Sequence, residues 1–361
     1  MTRQPDLLYS ETEDDLRAAV RSLLADRADA QAVLGRIEGE DPYLPGLWEA
    51  LAGGIGAAGL LVPEKLGGHG ASHREAAVVL EELGRAVTPA PYLTSAVVAT
   101  ATLLALGADG GRTADLLAGL ASGERVAVLA VPFATAPGTV TDPVRRVPAV
   151  ADAAAADVLL VPRADGLYAV DAADVVLTRQ SSLDLTRPLA VVDASGAAGV
   201  RLAGAEAGRA AVGQGLLAGA GLLASEQLGI AEWCLEETVR HTGERHQFNR
   251  PVGSFQALKH RMAQLWLELV GARAAARAAA DALATGAPDA ALTVAVAQAY
   301  CSKAAVHAAE ECVQLHGGIG MTWEHPAHLA LKRAKSDAIA LGSAGRHQDT
   351  VADLVDLPAP R

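Results

Sequence analysis

The sequence predicts a mainly α-helical protein with a small β-domain set between two helical regions. Three observations carry this. Apolar residues fill 51% of the 361 positions but aromatics only 3%, so the apolar mass is Ala, Leu and Val, which favours helix. Short Val/Leu-rich runs broken by Pro, Gly and Asp are confined to residues 124–200, the pattern of strands. On either side of them the chain has a helical texture, with helix-type stops.

The first region, 1–123, reads as helices over 14–28, 47–58, 73–85 and 95–106. Pro63, Gly67-Gly68, Gly70 and the Pro89-Ala90-Pro91 turn punctuate them. The second, 124–205, holds the runs ERVAVLAVPF, ADVLLVPR, GLYAV, DVVLT and PLAVVDAS, each expected as a strand. The third, 206–361, is helical again. Leu258, Met262, Leu265 and Leu269 step by four, three and four along one helix face. A long helix is expected over 289–316, stopped by Gly317-Gly318, and another over 326–339.

Charge and composition exclude several function classes. With 30 basic and 42 acidic residues the net charge is −12, leaving no basic stripe for a nucleic-acid backbone. Cys234, Cys301 and Cys312 form no CxxC pair, so no disulfide framework or zinc knuckle is expected. The polar, acidic start is unlike a signal or transit peptide. The uncharged stretches 96–106 and 210–225 are shorter than a membrane span and read as buried helix. The expectation is a soluble cytoplasmic protein.

Four segments have residues suited to chemistry. The first is GLLVPEKLGGHG at 59–70 with EELGR at 81–85, by physics alone a helix stop, a Gly-rich turn and a new helix. The second is RHQFNRPV at 245–252 with Phe255 and Gln256. An arginine beside an exposed aromatic suits a diphosphate joined to a flat ring system. The third is VQLHGGIG at 313–320, where paired glycines either cap a helix or let a ligand approach the backbone. The fourth is WEHPAH at 323–328, followed by KRAK and LGSA. His325 and His328 near Glu324 have no evident third ligand, so no metal site is expected.

In this order and spacing the four segments resemble the acyl-CoA dehydrogenase family, from about residue 10 to about 355. The resemblance implies a helical N-terminal domain, a central β-domain and a C-terminal four-helix bundle that mediates homo- or hetero-oligomers. It implies FAD, an acyl-CoA substrate, α,β-dehydrogenation of the thioester, and an electron-transferring flavoprotein as acceptor. In that family a glutamate takes the α-proton while the β-hydrogen leaves as hydride to the flavin. By position, the family's FAD contacts fall on Arg245, Gln247, Phe248, Val252, Phe255, Gln256, Gln314, Gly317 and Gly318. All of them reach toward FAD held mainly by a neighbouring subunit.

The catalytic glutamate has no counterpart. Its usual position holds Leu341, and the family's alternative position, in the first C-terminal helix, falls at about Gly219. The loop that supports flavin and substrate is replaced by AVPFATAPG at 130–138, and residues 124–200 hold no tryptophan. The expected role is therefore the base-less subunit of a heteromeric dehydrogenase, completing the FAD site of a catalytic partner. Two alternatives stand beside it. One is an active homo-oligomer with a relocated base, for which Asp337, one helical turn before Leu341, is the candidate. The other is a flavin-free scaffold of the same fold.

Overall fold

The computed structural model describes residues 5–39, 41–107, 110–139 and 145–358. Helix α1 (Glu11–Arg27) opens on a capping box, in which the Ser10 hydroxyl accepts from the Glu13 N–H and the Glu13 carboxylate accepts from the Ser10 N–H. Two short helices follow, α2 (Ala30–Leu34) and α3 (Leu47–Glu49). The single helix expected over 47–58 is instead α3, a π-type turn at Ala50–Gly54 and a 3-10 turn at Ala57–Gly59. Gly56 lies between the two turns at φ +80° and prevents one continuous rod. A second capping box, Ser72 with Glu75, starts α4 (His73–Ala86). The helix expected over 95–106 begins as a π-type stretch at Tyr92–Ala99 and ends as α5 (Thr100–Ala105), and α6 (Gly111–Ala121) completes the region.

The β region is two small sheets. One has the order β1 (Ala127–Leu129), β3 (Val158–Arg163), β4 (Gly166–Asp171), β7 (Val200–Gly204); the other has β2 (Arg146–Ala151), β6 (Leu189–Asp193), β5 (Val176–Gln180). Among the described residues only β1 and β3 pair in parallel. These two strands are buried on both faces. Ala127, Leu129, Val158 and Leu160 join the large core shared with the helices, while Val128, Leu159 and Val161 join the core between the sheets. That is why both read as unbroken apolar runs.

The remaining chain is helical. It comprises α7 (Ala205–Glu244), α8 (Gln256–Ala284), α9 (Ala290–His316), α10 (Ala327–Asp337) and α11 (Ala344–Leu354), with a hairpin of β8 (His246–Gln247) and β9 (Arg250–Pro251) between α7 and α8. Leu265 and Leu269 of the expected stripe are buried, and Met262 packs against the same core. Among the described residues no helix is long and apolar enough to cross a membrane.

Candidate functional site

The 245–256 segment is built as a grip that faces outward. His246–Gln247 pairs with Arg250–Pro251, and the turn residues Phe248 and Asn249 both take left-handed φ, +52° and +60°. A two-residue turn of this hand matches the twist of its strands. It holds Phe248 out to solvent at 85% exposure. Phe255 lies edge-on to Phe248 with ring centroids 6.0 Å apart, and the Arg250 guanidinium sits 3.9 Å from the Phe255 ring centre. The Val252 N–H donates to the Arg245 carbonyl at 2.8 Å and closes the base. Arg245, Gln247 and Gln256 are exposed, whereas Val252 and Phe255 are half-buried.

The glycine pair stands beside this grip. His241, four residues before Arg245, stacks on His316 with ring centroids 4.3 Å apart, and His316 immediately precedes Gly317. Gln314, Gly317 and Gly318 are exposed. Gly317 has φ +62°, and a Cβ built on either glycine would meet nothing within 4 Å. The backbone is thus open to a ligand at this point. Exposed arginine, exposed aromatic ring and bare glycine backbone fit the diphosphate-bearing part of FAD approached from outside the chain.

The interior where proton abstraction is expected is closed. Leu341 is buried at φ +52°; its N–H donates to the Phe133 carbonyl at 2.8 Å, and its carbonyl lies 3.0 Å from His347 Nε2. Leu341 and the altered 130–138 loop therefore lock together. Gly219 packs on the same spot, where a Cβ would come 2.5 Å from Val98 Cγ2 and 3.1 Å from Leu341 Cδ1. The two positions that the resemblance implies for the base, Leu341 and Gly219, meet here, and neither has a carboxylate. Thr94, Val98, Leu129, Phe133, Leu216 and Leu341 help line a cavity of about 20 Å³. That is room for one water. It does not fit a flavin ring.

Asp337 does not reach this slot. Helix α10 ends at Asp337, and the turn that follows, with Leu341 in left-handed φ, breaks the helical register that would align the two residues. Asp337 is fully buried, and its Oδ1 accepts from Arg187 Nη1 at 2.6 Å. Lys335, by contrast, lies on a different face, paired with Glu310. The Arg187 guanidinium lies 5.2 Å from the Phe133 ring centre and also donates to Glu226 at 2.6 and 2.8 Å. Arg333 donates to Glu226 at 2.5 Å and to Asp184 at 2.6 Å. Burial pushes both Glu226 and Asp184 upward, but the two arginines more than reverse it, and both end below the usual carboxylate range. Asp337 goes the other way, to about 8, because burial and then the Glu226 charge outweigh the arginines. Asp337 Oδ2 makes no hydrogen bond. Two guanidinium charges thus match two ionised carboxylates, with Asp337 held protonated.

Sequence reasoning did not find this network, which joins segments about 150 residues apart. One signal was available: Glu226 is the only charge between Arg209 and Glu232, and a buried lone charge needs a partner. The fourth segment also assembles differently from its sequence order. His328 Nε2 lies 3.2 Å from the Trp323 carbonyl and its ring packs on Trp323, whereas His325 meets His316 and Glu237 from other elements.

Comparison with known proteins agrees with the fold. Residues 10–124 match the family described as acyl-CoA dehydrogenase, N-terminal domain, and residues 206–355 match acyl-CoA dehydrogenase, C-terminal domain. The chain is 38% identical over 334 residues to "Acyl-CoA dehydrogenase IpdE2" of Mycolicibacterium smegmatis, covering 92% of this chain and 95% of that protein. It is 38% identical over 336 residues to the protein of the same name from Mycobacterium tuberculosis, covering 91% and 92%. Among solved structures, the ChsE4-ChsE5 complex from Mycobacterium tuberculosis aligns with TM-score 0.85 at 26% identity, covering 98% of this chain and all of that one. A variant of the Tcur3481-Tcur3483 steroid ACAD aligns with TM-score 0.83 at 28% identity, covering 96% and 98%.

Proposed function

The chain belongs to the acyl-CoA dehydrogenase family, whose members use FAD, and we propose that it is the subunit that completes a partner's FAD site and leaves proton abstraction to that partner. The observation that carries this reading is the convergence of Leu341 and Gly219. Both family positions for the base meet at one apolar spot without a carboxylate, while the cofactor-gripping side chains face outward. The reaction served is FAD-dependent α,β-dehydrogenation of an acyl-CoA thioester. FAD takes up the hydride in such a reaction, and this chain's part is to bind and orient. Arg245 neutralises diphosphate charge, Phe248 offers a flat apolar surface, and the Gly317-Gly318 backbone allows close approach. The partner holds the thioester and supplies the carboxylate that removes the α-proton.

Two further features support a heteromer. The two solved structures above are named for paired proteins, and one is called a steroid ACAD. An acyl group carried on a sterol-type skeleton is therefore the favoured substrate class. In addition, exposed Val296 and Tyr300 of α9, with Val355 and Leu357 beyond α11, line a groove of about 740 Å³, a surface suited to another subunit's helices. An active homo-oligomer using Asp337 is disfavoured, because that carboxyl is buried against Arg187.

The test is turnover. The chain alone is expected to show no acyl-CoA-dependent dye reduction, whereas co-expression with a family member that has the glutamate gives activity. Replacing the partner's glutamate with glutamine should abolish that activity, and Asp337→Asn in this chain should spare it. Turnover by this chain alone would overturn the reading.

A further inference from the structure

The Glu237–His316–His325 cluster has a polarity that neither the fold nor the cofactor reading uses. His316 ends α9, and its side chain is completely enclosed. Its Nδ1 lies 2.6 Å from the Cys312 carbonyl, an acceptor, so Nδ1 has the hydrogen and donates. In the neutral ring this leaves a lone pair on Nε2, which has no hydrogen-bond partner. Nε2 faces Glu237 Oε1 at 3.6 Å. An enclosed acceptor thus faces a half-buried carboxylate oxygen across a gap, an arrangement that a cation between them would satisfy. His325 Nε2 closes the set at 3.6 Å from the same carboxylate oxygen, and all three ligand atoms lie within 4.8 Å of one another.

We propose that Glu237, His316 and His325 form a binding site for a divalent transition-metal ion of the zinc type. Two imidazoles and one carboxylate are a donor set that such ions take, with a further position left to solvent. With metal–ligand bonds of about 2.0–2.2 Å, tetrahedral ligands stand roughly 3.4 Å apart, close to the 3.6 Å seen here. The His316 Nδ1–H to carbonyl bond is the outer-shell contact that fixes a ligating imidazole's tautomer and direction.

Two present contacts give way on binding. Arg240 donates to both Glu237 oxygens, but it is half-exposed and keeps its 2.6 Å bond to Glu244 after release. His325 Nδ1 accepts from the Ala327 N–H at 3.2 Å, and ligation through Nε2 moves the ring hydrogen to Nδ1 and ends that long contact. Ala327 opens α10, where an N–H has no intrahelical partner in any case. The ion would tie α7, the end of α9 and the segment before α10 together beside Gly317. It makes no demand on the cofactor reading.

The experiment uses the whole purified chain, stripped with a chelator and titrated calorimetrically with zinc chloride, with cobalt chloride as a spectroscopic probe. The expected result is one zinc per chain with dissociation constant in or below the micromolar range, and visible d–d absorption on adding cobalt. His325→Ala and Glu237→Gln should each weaken zinc by at least tenfold and abolish the cobalt bands. Both sites are partly exposed, and circular dichroism checks that each variant is folded; His325→Gln replaces His325→Ala if it is not. His260→Ala, on the exposed face of α8, should leave binding unchanged. Absence of stoichiometric zinc binding overturns the proposal. So does zinc binding that the cluster variants leave intact, which would assign the ion to scattered surface histidines.

Discussion

Asp337→Asn separates a buried structural carboxyl from a catalytic one, and its effect depends on pH. Asp337 is fully buried, hydrogen-bonded to Arg187, and holds its proton to about pH 8 against an ordinary value of 3.8. Below pH 4 it is protonated in both folded and unfolded chains and contributes nothing. As pH rises from 4 to 8 the unfolded chain loses this proton and the folded chain keeps it, so the folded state is progressively disfavoured. At 1.36 kcal/mol for each pH unit, the penalty reaches a ceiling of about 6 kcal/mol above pH 8. Asparagine keeps the oxygen that accepts from Arg187 and cannot ionise. Its two N–H donors replace the one unpaired O–H of the protonated Oδ2, and the extra unpaired donor costs about 1–3 kcal/mol. The variant should therefore lie within about 1 kcal/mol of the parent at pH 5 and be more stable by about 3–5 kcal/mol at pH 9. Urea unfolding at the two pH values measures both differences. An equal effect at both, or destabilisation at pH 9, would refute the charge assignment of the network.

Four further outcomes follow from the geometry. Arg245→Ala and Phe248→Ala change exposed residues, so the chain's melting temperature should hold within about 2 °C. In the assembled heteromer Arg245→Ala should weaken FAD by roughly 10- to 150-fold, the equivalent of one charge-assisted hydrogen bond, read by flavin fluorescence titration. Gly219→Ala places a Cβ 2.5 Å from Val98 Cγ2 and should cost about 1–3 kcal/mol in denaturant unfolding. Asp184 and Glu226 sit below the usual carboxylate range, so the stability they confer is complete above about pH 4.5. It is lost as pH falls through their lowered folded values; an Arg187→Met chain should unfold at a higher pH than the parent in an acid titration.

Where one segment has a complete signal, the sequence is readable. The two-faced burial of β1 and β3 appears as unbroken Val/Leu runs, and the halt of α9 appears as Gly317-Gly318. The edge strands β2 and β7 were missed, because Pro148, Arg146 and Arg201 dilute their apolar pattern. Helices α6 and α11 were missed as well; α6 opens on Gly111 and α11 follows the Leu341-Gly342 turn, so neither has a strong start signal apart from Ser343. The residues proposed to contact the cofactor lie in two short segments, so the sequence alone puts them forward together. The network of Asp184, Arg187, Glu226, Arg333 and Asp337 is not legible there, since only folding brings its members together. The same holds for Glu237 meeting His316 and His325.

The most direct test of the central claim is flavin stoichiometry. The isolated chain and its complex with a glutamate-bearing family member are each dialysed to equilibrium against FAD, and bound flavin is counted per chain. The account predicts no stoichiometric flavin on the isolated chain, and flavin on the complex that Arg245→Ala in this chain weakens. One tightly held FAD per isolated chain would contradict it.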